Sequence, residues 1–212
     1  MKLAILAATG AAALAFASSA SAIVNYVSDG DFSSPSGGAS YTPYGGGSSM
    51  GPWTVGGNSV DLIGGYWQNP NGTAGSVDLD GSAPGSISQS LSLIAGDHYT
   101  LTFYLSGNPD GNIGPHTVDV SVGNLVGDAF TYTTGSNSRT SMNYALETVN
   151  FTATATNVLS FSSADASGAY GPVVGDISVT AAVPEPATWA LMLAGFGGLG
   201  LALRGRRRFA IA

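Results

Sequence analysis

The sequence predicts an all-β fold, a jelly-roll β-sandwich of eight or nine short antiparallel strands. Three observations predict it. Apolar and polar residues alternate with period two in "HYTLTFYLSG", "ISVTAAV" and "VLSFSS", so that one face of each strand can be buried. Gly, Pro, Asn, Asp and Ser clusters, with Gly alone at 31 residues, break the chain between these runs, as turns joining short strands require. No stretch of the exported body shows sustained helical periodicity with caps.

The elements follow in chain order. The first 22 residues, "MKLAILAATGAAALAFASSASA", carry Lys2, an Ala/Leu-rich run and an Ala20-Ser21-Ala22 ending. This is the form of a signal peptide cut after Ala22, with an uncleaved membrane helix as the alternative. The segment from Ser33 to Met50 lacks apolar alternation and is expected to be a surface loop. Strands are then predicted at Ser59 to Ile63, Ser76 to Leu79, Ser86 to Leu93, His98 to Ser106 and His116 to Val122. Four more follow at Ala129 to Thr134, Glu147 to Thr154, Val158 to Ser163 and Asp176 to Ala181. In the clearest of them Tyr99, Leu101, Phe103 and Leu105 share a face. Domain boundaries are expected at 1–22, 23–181 and 182–212.

Charge narrows the function classes. Between Ile23 and Ala182 a single arginine, Arg139, stands against twelve Asp or Glu, a net charge of −11. Such a surface repels phosphate backbones and disfavours nucleic acid. With Cys 0 the chain has no disulfide, thiolate metal site or cysteine nucleophile.

The C-terminal segment is built differently. Ala187 to Leu203 is uncharged, and Arg204, Arg206, Arg207 and Arg208 follow at once. A run of this kind is just long enough to span a bilayer, so a transmembrane helix over 187–203 is expected, with the arginines as a cytoplasmic stop signal. Pro184 and Pro186 hold Glu185 in an extended backbone directly before it, a shape suited to recognition by an enzyme's groove. Val183-Pro184-Glu185-Pro186, the short apolar run and the Arg cluster together resemble the PEP-CTERM sorting signal of Gram-negative bacteria. The resemblance implies recognition and cleavage by an exosortase, an inner-membrane-inserted precursor, and delivery to the cell surface or extracellular matrix beside exopolysaccharide.

The body has its own resemblance. "VSDGDF", "GPWTVGGNSVDLIGGYWQNPNGTAGSVDLDGSAPGSISQSL", "AGDHYTLTFYLSGNPDG", "SRTSMNYALETVNFTAT" and "GPVVGDISV" resemble the choice-of-anchor C domain, itself similar to plant cell-wall proteins with galactose-binding-like folds. This implies the sandwich more directly than any activity. It also implies a structural calcium where first and last strands meet, at Asp29, Asp31 and Asp176, with Asp capping of turns as the alternative. Ser33 stands where relatives often carry an acid.

Candidate chemistry is sparse. Asp78 and Asp80 share a strand face at i, i+2 spacing, with Asp61 on a comparable strand. They make a polysaccharide hydrolase the enzyme hypothesis, and solvated acids at strand ends the alternative. His98 and His116 have no second ligand at zinc spacing. The best binding signal is Tyr66, Trp67, Gln68 and Asn69, since sugars stack C–H faces on aromatic rings and need amide partners for their hydroxyls. Trp53 is expected in the core, and Trp67 in either core or site. The resulting expectation is a non-catalytic exported protein that associates with exopolysaccharide.

Overall fold

The computed structural model describes residues 23–111, 114–182, 192 and 195–198. Twelve strands form: β1 (Tyr41–Gly45), β2 (Ser49–Met50), β3 (Trp53–Gly57), β4 (Ser59–Ile63), β5 (Ser76–Asp78), β6 (Gly85–Ser90), β7 (His98–Gly107), β8 (Pro115–Val122), β9 (Leu125–Thr133), β10 (Ala145–Thr152), β11 (Val158–Ser163) and β12 (Pro172–Ala181). They make two six-stranded sheets, ordered β1-β4-β5-β12-β7-β10 and β2-β3-β6-β11-β8-β9. Every pairing is antiparallel. The chain passes between sheets after β1, β3, β5, β6, β7, β9, β10 and β11, which is the jelly-roll sandwich the alternation predicts.

The pleat decides the core. On β7, Tyr99, Leu101, Phe103 and Leu105 are buried while Thr100, Thr102 and Tyr104 are only half-buried. They meet Val118, Val120 and Val122 of β8, Leu159 and Phe161 of β11, and Ile177 and Val179 of β12 in one cluster between the sheets. Phe103 packs edge-on against Phe161 and Phe130, with ring centroids 5.0 and 5.3 Å away. Trp53 is fully buried, as expected of it.

The start of the body is tied to its end. Tyr26 donates its N–H to the Val179 carbonyl, and Ile177 donates to the Gly30 carbonyl. Gly30 approaches β12 so closely that a Cβ there would lie 2.0 Å from the Ile177 oxygen, so glycine is required by contact.

The loop expected over Ser33 to Met50 is corrected: it contains β1 and β2, and β3 follows at once. β1 is an edge strand, pairing only with β4. Its Tyr41, Pro43 and Gly45 face is exposed and its Thr42 and Tyr44 face only half-buried, and it carries Pro43, which an edge tolerates. Such a strand leaves no apolar alternation to read. The expected signal helix, Val183 to Pro186, Arg204, Arg206, Arg207 and Arg208 lie outside the described residues, as does most of the expected 187–203 helix. Among the described residues no helix is long and apolar enough to cross a membrane.

Candidate functional site

A cleft of about 480 Å³ opens on the outer face of the β1-β4-β5 sheet, lined among others by Tyr41, Asp61, Tyr66, Asp78, Arg139 and Tyr170. Two loops build its wall. The loop after β4 carries Tyr66-Trp67-Gln68-Asn69, and it docks on the loop between β9 and β10. Gln68 donates its N–H to the Arg139 carbonyl at 2.7 Å, and its side chain accepts from the Met142 N–H at 3.1 Å. Beneath them Trp67, Ile63, Met142 and Val173 form a second, small apolar cluster.

This docking sorts the four predicted binding residues. Trp67 is 6% exposed and donates its indole N–H to the Ser76 hydroxyl at 3.1 Å. Asn69 donates to the Gly64 and Ala74 carbonyls and accepts from Ser76. Trp67, Gln68 and Asn69 therefore hold the loop, although the Trp67 side chain still borders the cleft. Tyr66 is the one whose polar end reaches the open side, where its hydroxyl donates to Asp110 Oδ2 at 2.8 Å.

Around Tyr66 the sequence-level reading missed most of the site. Arg139 donates Nε to Asp110 Oδ1 and Nη2 to Asp110 Oδ2, each at 2.8 Å. Its guanidinium lies 4.1 Å from the Tyr66 ring centroid and also contacts the Tyr66 hydroxyl. The cation holds the Asp110 carboxyl below its ordinary range, and the Asp110 hydrogen bond pushes the Tyr66 phenol up. Tyr41 packs edge-on against Tyr66 at 5.3 Å and is 47% exposed. A hint existed: one arginine in a body of net charge −11 has to find a carboxylate. The partner, 29 residues away, is set by the fold.

The acids behave differently from solvated strand-end residues, and that expectation is corrected. Asp78 is 1% and Asp80 0% exposed. The segment preceding β12 covers them: Gly171 donates its N–H to Asp78 Oδ1 at 3.2 Å. A Cβ on Gly171 would lie 2.4 Å from Asp80 Cγ, so the close approach needs glycine. Asp78 also accepts from the Asp80 N–H at 3.0 Å and from Asn108 Nδ2 at 2.5 Å. Burial nevertheless pushes its carboxyl up to about 8, opposed by those two bonds and helped by the charges of Asp80 and Asp61. Burial lifts Asp80 to about 6. Both Asp80 oxygens lie outside normal hydrogen-bond geometry to any donor, although the Ser163 hydroxyl is near enough to oppose the shift. Asp61 stands directly opposite Asp78 on β4, half-buried and facing the cleft. Burial alone raises it, and its carboxylate makes no hydrogen bond among the described residues.

Calcium fits its predicted donors poorly. Asp29 Oδ1 accepts from the N–H groups of Ser33 and Ser34 at 2.8 and 3.0 Å, and the Ser33 hydroxyl bridges Asp29 and Asp31. Asp176 accepts from Asn71. Asp29 thus caps its own turn, Asp176 is engaged by a side chain 105 residues away, and among the described residues no group of three or more His, Cys, Asp or Glu is placed to hold a metal ion.

Comparison with known proteins adds the following. The profile of a family described as a protein of unknown function, DUF642, matches residues 25–180, and that of the PEP-CTERM protein-sorting motif matches residues 182–208. Halomucin of Haloquadratum walsbyi is 46% identical over 57 residues, 26% of this chain but only 1% of that protein's length. Among solved structures, a CBM35 from Paenibacillus barcinonensis is 17% identical with a TM-score of 0.41, over 66% of this chain and 99% of its own. The CBM22-1 xylan-binding domain from the same organism is 16% identical with a TM-score of 0.42, over 68% and 93%. Likeness at this level says nothing about a ligand here.

Proposed function

Because this chain belongs to the DUF642 family and carries a PEP-CTERM sorting motif, we propose that it is an exported surface protein whose sandwich binds a glycan at the cleft beside Tyr66. The sorting motif supports an exosortase-processed precursor, inserted in the inner membrane with its arginines inside, then released to the cell surface or matrix. One observation carries the binding role: a polar cleft of about 480 Å³ sets the exposed Tyr41 ring beside the Asp61 carboxylate, which makes no hydrogen bond among the described residues. Sugars supply what both lack, a C–H face for the ring and hydroxyl donors for the carboxylate.

The test is retention on immobilised xylan, galactan, alginate and chitosan. At least one should retain the mature protein, and Tyr41→Ala should weaken that binding by about tenfold, the worth of one stacked ring and its hydroxyl contacts. Circular dichroism should be unchanged, because Tyr41 is an exposed edge residue. Retention on none of the four would sink the reading.

Sorting has a separate readout. Mass spectrometry of the mature protein from an exosortase-positive host is expected to find a C-terminus upstream of Arg204. An intact Arg204–Arg208 tail would leave a plain membrane anchor instead.

A second reading, hydrolysis of a glycosidic bond, is favoured by the Asp61 and Asp78 carboxyls facing each other across β4 and β5, one of them holding a proton up to about pH 8. Against it, Asp78 is almost wholly covered and its oxygens accept three N–H groups. Release of reducing ends from the retained polysaccharide, lost in Asp78→Asn, would establish this reading over simple binding.

A further inference from the structure

A second cleft of about 270 Å³ lies against Pro115, His116, Asp165, Ser167 and Tyr170. Tyr170 also lines the first cleft, so its ring stands at the boundary the two share. It comes from the segment joining β11 to β12 and is 48% exposed. The ring is backed by main chain: a Cβ on Gly111 would lie 2.1 Å from it, so no side chain there can displace it. The floor of the second cleft is also fixed. His116 Nδ1 and Asp165 Oδ2 are 2.6 Å apart, and Asp165 Oδ1 accepts the Thr117 N–H at 2.9 Å. At about 270 Å³ the second cleft is smaller than independent ligand pockets, which start at roughly 300 Å³. The first is large enough to stand alone. An extension reached across a shared aromatic ring is the arrangement these sizes fit.

Resting on the glycan reading above, we propose that the bound species is an internal stretch of a polysaccharide chain, which runs from the Asp61 cleft across the Tyr170 ring into the cleft beside Asp165. A monosaccharide or a chain end would occupy the first cleft and leave the second empty. A chain that continues gains a stacking contact on Tyr170 and a second set of neighbours without a second loss of translational freedom.

Competition with mono-, di- and longer oligosaccharides, cut by partial hydrolysis from whichever of xylan, galactan, alginate or chitosan retains the protein, tests this. Affinity is expected to rise by about tenfold once the oligomer is long enough to pass Tyr170. Tyr170→Ala should erase that rise and Tyr170→Phe should keep it. Ser167→Trp, an exposed position that would fill the second cleft, should also erase it and guards against misfolding in the first variant. Equal affinity for a monosaccharide and for long oligomers would overturn the proposal while leaving glycan binding intact. Retention on none of the four polymers would remove both.

Discussion

Truncating Trp53 to alanine is expected to lower the free energy of unfolding by about 3–5 kcal/mol, the usual cost of removing a buried tryptophan. The indole is fully enclosed and sits where the entering chain meets the β2-β3-β6 sheet. It packs on Phe32 with centroids 5.7 Å apart, and its Nε1 donates to the Asp29 carbonyl at 3.1 Å. Alanine therefore leaves a cavity and also removes one of the two hydrogen bonds to the Asp29 carbonyl, the other coming from the Phe32 N–H at 3.3 Å, in the turn that brings Gly30 against β12. Domains of this size hold only about 5–15 kcal/mol in total, so the variant should unfold at a much lower urea concentration. Tyr41→Ala, at an exposed edge, should stay within about 0.5 kcal/mol of the parent. A Trp53→Ala loss below about 1 kcal/mol would mean that the entering segment is not part of the cooperative core.

The contrast between these positions also explains what the sequence made legible. Where a strand buries one face and wets the other, as β7 and β11 do, period-two alternation identifies it within a residue or two. β1 to β3 escaped because their constraints lie elsewhere. β1 is an edge with one face exposed and the other only half-buried, and β3, "WTVGG", alternates over just Trp53, Thr54 and Val55 before its glycines, too short a run to identify a strand. The site escaped for a related reason. Tyr66 could be found in its aromatic and amide-rich loop, but Trp67, Gln68 and Asn69 look identical in sequence whether they face a ligand or hold the loop down. Only the docking of Gln68 on Arg139 and Met142 decides between the two. Asp110, Arg139, Tyr41 and Tyr170 come from four separate segments, so no local pattern could join them. Asp78 and Asp80 alternate like exposed acids, and the cover they receive from Gly171, 93 residues from Asp78, is purely tertiary.

That cover makes stability depend on pH in an unusual direction. An acid usually loses its proton more easily in the folded state, and stability then falls on acidification. Asp78 and Asp80 are raised by burial, from an ordinary 3.8 to about 8 and about 6, and Asp61 is raised by the same cause. Between the unfolded and folded values the folded protein keeps a proton that the unfolded chain has released. The contribution is thus fully present below about pH 4 and is lost as pH rises through about 8. Inside that window each retained proton is worth up to about 1.4 kcal/mol per pH unit. Urea midpoints are therefore expected to fall between about pH 5 and about pH 9. Asp78→Asn, which cannot titrate, should flatten the upper part of that slope, whatever it does to stability at a single pH. The asparagine still offers one oxygen to the Asp80 and Gly171 N–H groups, while its own amide meets that of Asn108. An unchanged slope in Asp78→Asn would show that Asp78 is ionised throughout, held so by its three N–H donors. The Asp61–Asp78 pair would then face a ligand as two charges, and the cleft would select amines over neutral hydroxyls.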